Sequence, residues 1–165
     1  MAELTVLQER LAVAWGLALA AVTLTEKVEE RTPERSLRLE LSRMRDDALE
    51  TQSRCHGETA TLPVDVADEL RATAQRTKDH AGELSIVWLK AGADAVAAWT
   101  FLAMGEAGEV AAWLAVTELA ERAADAALLD LAHWALETQR RHLEAAFAGT
   151  VALAAAERPL HVALH

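Results

Sequence analysis

Apolar residues recur along this chain at steps of three and four, the repeat that places side chains on one face of a helix. One stripe runs Leu4, Leu7, Leu11, Ala14, Ala18, Val22, and a second runs Leu37, Leu41, Met44, Ala48, Thr51, Cys55. A third runs Trp99, Leu102, Glu106, Glu109, Trp113, Val116, Ala120, and a fourth runs Ala132, Ala135, Gln139, His142, Ala146, Gly149, Leu153. No alternating run bounded by turn residues competes with them, so no strand is expected.

The punctuation between the stripes predicts about five helices. Helix 1 is expected from Ala2 to Glu30. Thr32-Pro33 reads as a cap with proline in the first turn, and helix 2 follows from Pro33 to Cys55. His56 to Pro63, with Gly57 and Pro63, reads as a loop. Asp65 is the expected cap of helix 3, which ends near Ala91-Gly92. Asp94 caps helix 4, reaching Ala120, and Asp125 caps helix 5, which ends before Pro159. The turn between helices 4 and 5 contains neither glycine nor proline. Short connections make antiparallel neighbours, so helices 1–2 and 4–5 read as hairpins with helix 3 as the crossover. The expectation is all-α: an antiparallel four-helix bundle filling one domain, residues 1–165.

The two hairpins differ in what interrupts their apolar faces. The first pair of stripes carries no carboxylate or histidine, while the second carries Glu106, Glu109, Gln139 and His142. If helices 4 and 5 are antiparallel, these four groups meet near mid-helix. A buried carboxylate costs several kcal/mol unless it is paired or binds a cation. Two glutamates one turn apart repel, so one should have a raised pKa or share a cation. His142 can be that cation. The competing reading has Gly105 and Gly108 kinking the helix or permitting close packing, with Gln139 and His142 as satisfied core polar groups.

Composition narrows the function classes. The 165 residues are 52% hydrophobic and 25% charged, with seven Gly and three Pro, which suits a helical globular chain. The net charge of −10 argues against nucleic acid as a partner. Cys55 is the single cysteine, so no internal disulfide forms and a reducing, cytoplasmic setting is expected. The N-terminus lacks a basic segment ahead of an apolar one, so it does not read as a secretory signal. The charge-free run between Arg10 and Glu26 reads as a buried helix too short for a membrane span.

Other candidates read more plainly. Cys55-His56 is either a reactive thiol beside an imidazole or a buried helix-end cysteine. His80 with Glu83, and His133 with Glu137, read as solvated pairs. His161 and His165 lie in the C-terminal tail. Trp15, Trp99 and Trp113 either wall a pocket for a flat ligand or fill an alanine-rich core. Trp88 and Trp134 read as markers of a subunit interface. No phosphate loop, nucleophile elbow or zinc pattern is present.

The layout resembles the ferritin-like superfamily, especially rubrerythrin-like bundles. Met104-Gly105-Glu106-Ala107-Gly108-Glu109 is similar to the Glu-x-x-Glu segment of that family's second hairpin. Gln139-Arg140-Arg141-His142 is similar to its Glu-x-x-His, with glutamine in the glutamate's place. The first hairpin departs from the pattern. The corresponding ligand positions fall near Trp15 or Gly16 and near Arg45 and Ala48, none of which can serve. The resemblance therefore implies a ferritin-like bundle without an intact di-iron site. No cofactor is expected. The alternative is a single divalent metal (iron, manganese or zinc) on Glu106, Glu109 and His142. As a metal-free site, Glu106 or Glu109 would be the base, His142 the proton partner and Gln139 the group orienting a small-molecule substrate. Trp99, Trp113 and Trp15 would line it. A structural module that assembles through its helices, as a homodimer, is a further alternative. Neither a membrane nor a nucleic-acid partner is expected.

Overall fold

The computed structural model describes residues 3–157, which form five helices and no strand. These are α1 (Val6–Glu29), α2 (Arg35–Thr59), α3 (Val64–Trp88), α4 (Ala95–Ala123) and α5 (Ala126–Ala156). His161 and His165 lie outside the described residues.

The polar contacts give each helix its direction. Along α4 and α5 the partners step in opposite senses: Trp99 packs on Gly149, His142 lies beside Glu106, and Gln139 bonds Glu109. The same holds for α1 and α2, where Gln52 donates to the Ala18 carbonyl at one end and Arg45 pairs with Glu29 at the other. It holds again for α2 and α5, through Asp47 with His142 and Arg54 over the Trp134 ring. Between α1 and α4, Trp99 reaches Thr32 while Trp113 shares a cluster with Leu11 and Trp15. Neighbours around the ring α1, α2, α5, α4 are thus all antiparallel. The helix α3 lies outside this ring and runs parallel to α1, with Ala74 and Thr77 at Gly16, Ser85 at Lys27 and Leu89 at Arg31. It carries the chain back along the bundle, as expected of a crossover.

The seams are buried largely as the periodicity requires. Every residue of the α4 and α5 stripes is buried, and so are Leu41, Met44, Ala48, Thr51 and Cys55 on α2. At the ends of the first-hairpin stripes, Leu4, Leu7, Val22 and Leu37 are only partly buried. Two glycines permit close approach. A Cβ on Gly149 would sit 2.2 Å from the Trp99 ring, and one on Gly16 would sit 2.5 Å from the Ala74 carbonyl oxygen. The apolar core falls into two blocks. One gathers Leu11, Trp15, Leu70, Trp113 and Leu131, and the other gathers Val28, Leu41, Met44, Trp99 and Leu102.

The caps hold in part. Asp94 accepts from the Ala97 amide and Asp125 from the Leu128 amide. Thr5 and Gln8 form a reciprocal capping box that starts α1. Three sequence expectations need correction. Thr32 does not cap α2, which starts after Glu34. Its buried hydroxyl donates to the Val28 carbonyl and accepts from Trp99 Nε1. Helix α2 continues through Gly57 to Thr59, because Thr59 extends the buried i, i+4 seam beyond Cys55. Asp65 sits inside the first turn of α3, where its charge still favours the helix dipole. The α4/α5 turn is made by Ala124 in the left-handed region, with φ 52°, a conformation that costs an L-residue about 1–2 kcal/mol.

The run between Arg10 and Glu26, expected to be too short for a membrane span, lies within α1, which by length and hydropathy is long and apolar enough to cross one, with a mean hydropathy of 1.5 over its best window. Half of that window is buried within the protein, as in the core helix of a bundle.

Candidate functional site

Helices α4 and α5 bring all four polar seam residues into the interior. Glu106, Glu109, Gln139 and His142 are each no more than 4% exposed. Their spacing explains the meeting. Glu106 and Glu109 are one turn apart on α4, as are Gln139 and His142 on α5, and the antiparallel register sets each pair across from the other. Gln139 Nε2 donates to Glu109 Oε2 at 2.8 Å. His142 Nδ1 lies 3.5 Å from Glu106 Oε2, an ion-pair separation rather than an aligned hydrogen bond. Glu106 Oε2 and Gln139 Oε1 consequently have no hydrogen-bond partner among the described residues.

The first hairpin contributes a carboxylate after all. Asp47 on α2 places Oδ2 3.0 Å from His142 Nε2. It sits beside the α2 seam rather than on it, between Met44 and Thr51, and stays partly exposed. Stepping along the seam passes over it. The signal that could have found it is the acidic pair Asp46-Asp47 flanking a buried stripe. His142 is therefore gripped on both ring nitrogens, by Glu106 from inside and Asp47 from outside.

The electrostatics follow from this geometry. Burial pushes the Glu109 carboxyl well above its ordinary range, and the neighbouring Glu106 pushes it further the same way. For His142, burial alone would lower the pKa. Glu106 first, and then Asp47, outweigh burial and hold the imidazolium above its ordinary 6.5. The layer therefore joins a carboxyl and an imidazole that both bind a proton more tightly than in water, with Glu106 and Asp47 beside them.

A cleft of about 530 Å³ opens beside this layer between α1, α3 and α4, a volume within the range of small-molecule sites. Its walls are mainly hydrocarbon, from Leu17, Leu24, Phe101 and Met104, and Glu109 lies on its lining. Gly82, Gly105 and Gly108 also line it. A Cβ on Gly82 or Gly108 would meet nothing within 4 Å. Helix α4 is continuous through both of its cleft glycines: Gly108 leaves room, whereas Gly105 lies against α1, where a Cβ would sit 3.3 Å from Leu24 Cδ2. Of the site residues expected from sequence, only Glu109 reaches this lining.

Trp15, Trp99 and Trp113 are buried outside the cleft. Trp15 and Trp113 belong to one core block and Trp99 to the other. Trp134 lies under the Arg54 guanidinium, and Trp88 stacks on Phe101. Cys55 is buried, and burial, followed by the charge of Glu58, pushes its thiol far above the usual range, so no reactive thiolate forms. His80, His133 and Glu137 are exposed. Among the described residues, no three His, Cys, Asp or Glu side chains converge in a metal-holding group.

Compared with protein families, curated proteins and solved structures, the chain matches none.

Proposed function

We propose that this chain is a ferritin-like bundle that binds a small molecule in the cleft between α1, α3 and α4, with Glu109 as the polar group that meets it. The observation that carries the reading is a hydrocarbon cleft lined at one point by a buried carboxyl, itself fixed by Gln139. Apolar walls with few placed polar groups are the usual makeup of such sites. The ring of antiparallel helices and the α3 crossover support the ferritin-like layout.

Where the bound molecule is also a substrate, Glu109 is the residue placed to give or take its proton. Behind it lie Glu106 and His142, and His142 Nε2 is 3.0 Å from the partly exposed Asp47. No metal is needed for that chemistry.

The test is binding of a neutral solvatochromic dye, followed by fluorescence, in wild type and in Gly108→Phe. The phenyl group enters open space in the cleft and should abolish binding without unfolding the helix. Undiminished dye binding in Gly108→Phe would rule out the cleft. Metal analysis of protein purified without chelator decides the competing reading. Stoichiometric iron, manganese or zinc that disappears in Glu109→Ala would replace small-molecule binding with metal binding.

A further inference from the structure

We infer that the molecule this cleft takes is an apolar monocation, a hydrocarbon-rich amine whose ammonium group meets Glu109. The inference rests on the small-molecule reading above and names its ligand class.

Three observations converge on it. The first is the imbalance between donors and acceptors in the polar layer. Its one amide, Gln139, spends a donor on Glu109, and its one imidazole is shared between Glu106 and Asp47. Glu106 Oε2, with only the ion-pair approach of His142, and Gln139 Oε1 are buried without a hydrogen-bond partner among the described residues. The buried N–H groups without a partner, Trp15 Nε1 and Trp113 Nε1, lie in an apolar core block away from the cleft, where the one buried charged or amide group is the Glu109 carboxyl. Of this layer only Glu109 reaches the cleft, and a carboxyl at the end of a hydrocarbon cleft is complemented by a cation.

The second observation is the shape of the cleft. Glycine inside a helix costs about 0.5–1 kcal/mol relative to alanine. Gly82 on α3 and Gly108 on α4 face the same space and would tolerate a methyl group. What they preserve is room for a chain of hydrocarbon between Leu24 and Phe101, leading to Glu109.

The third observation is the charge around the inner end of the cleft. Lys27 and Lys78 line the cleft, but Lys27 Nζ already donates to Ser85 Oγ at 2.8 Å, and Asp79 and Glu83 line it as well. Two lysines and two carboxylates leave this part of the lining without net charge, although no ion pair joins them among the described residues. A ligand carboxylate turned inward would face Glu109 with Glu106 behind it. An ammonium there would form a charge-assisted hydrogen bond with the Glu109 carboxylate against hydrocarbon walls.

Displacement of the neutral dye by octylamine, octanol and octanoate, three probes of equal chain length, tests this at neutral pH. Octylamine should displace the dye from wild type at a concentration about tenfold lower than octanol, and octanoate should be the weakest. In Glu109→Gln the ratio of amine to alcohol should fall to about one. An alcohol that binds as tightly as the amine, or an amine preference that survives Glu109→Gln, would overturn the ligand class while leaving the cleft as a binding site. Loss of dye binding in wild type, or its persistence in Gly108→Phe, removes the small-molecule reading and this inference with it.

Discussion

Replacing Gly149 with alanine should destabilise the protein, although alanine is the better helix former. Alanine gains about 1 kcal/mol over glycine in a helix interior. Here the new methyl carbon would lie 2.2 Å from Cε3 and Cζ3 of Trp99 and 2.9 Å from Cδ2. Carbon atoms pack at about 3.5–4.0 Å, so α5 or the indole must shift by more than about 1 Å. The indole has little freedom. It is fully buried, and its Nε1 is held by Thr32 Oγ1 at 2.9 Å. Overpacking of this kind costs about 1–3 kcal/mol, and losing the Thr32 bond adds about 1 more. The balance is a net loss of about 1–3 kcal/mol. For a chain of this size that lowers Tm by roughly 2–12 °C. Urea unfolding followed by tryptophan fluorescence measures it, with Gly57→Ala as the control. Gly57 is also helical, but its Cβ would meet nothing within 4 Å, so that variant should gain up to about 1 kcal/mol. If Gly149→Ala gains stability alongside Gly57→Ala, the close approach of α4 and α5 argued here is wrong.

Two further expectations concern the polar layer. The folded state raises the Glu109 carboxyl above its ordinary 4.5 and His142 above its ordinary 6.5. In both cases the folded protein binds the proton more tightly, so stability is fullest at low pH within each window and falls as pH rises through the folded value. Urea midpoints measured from mildly acidic to mildly alkaline pH should therefore decline. Glu109→Gln, which mimics the protonated acid, should flatten the lower part of that decline and stabilise the protein on the alkaline side; an unchanged slope would show that Glu109 is not the buried acid. Asp47→Asn removes the outer charge on His142 and should lower its pKa, read from the imidazole resonances, at a stability cost below about 1 kcal/mol because Asp47 is partly exposed. An unmoved titration would place Asp47 outside the network.

Much of the bundle was legible because burial is periodic. The α4 stripe kept its step of three and four straight through Glu106 and Glu109, and the structure buries both. Gln139 and His142 behaved likewise on α5, so the meeting of the four groups follows from spacing and antiparallel register alone. Asp47 escaped because it flanks a seam rather than lying on it, and a seam reads only its own face. The cleft escaped for another reason. A cavity is defined by missing side chains, and Gly105 and Gly108 are equally consistent with a kink, with close packing or with space. Only the distances to the neighbouring helices separate these, with Gly105 against Leu24 of α1 and Gly108 facing space. Gly57 misled in the opposite direction: a solvent-facing glycine looks like a loop, while the seam beneath it, from Cys55 to Thr59, continues the helix. Thr32 has the chemistry of a cap, but Trp99, far away in the chain, claims its hydroxyl. The tryptophans could be assigned to core or pocket only once α3 was placed.

The division of the apolar core into two blocks bears on how the native state fluctuates. A polar layer at the waist transmits cohesion through a few directional bonds, whereas packed hydrocarbon transmits it through many weak ones. The two ends of the bundle should then behave as separate cooperative units in native-state hydrogen exchange, one around Trp113 and one around Trp99. The cleft lies alongside the boundary between them. A bound molecule that contacts Phe101 on one side of the waist and Glu109 at it would fasten the two units together, so occupancy would be registered as slower exchange at amides far from the ligand.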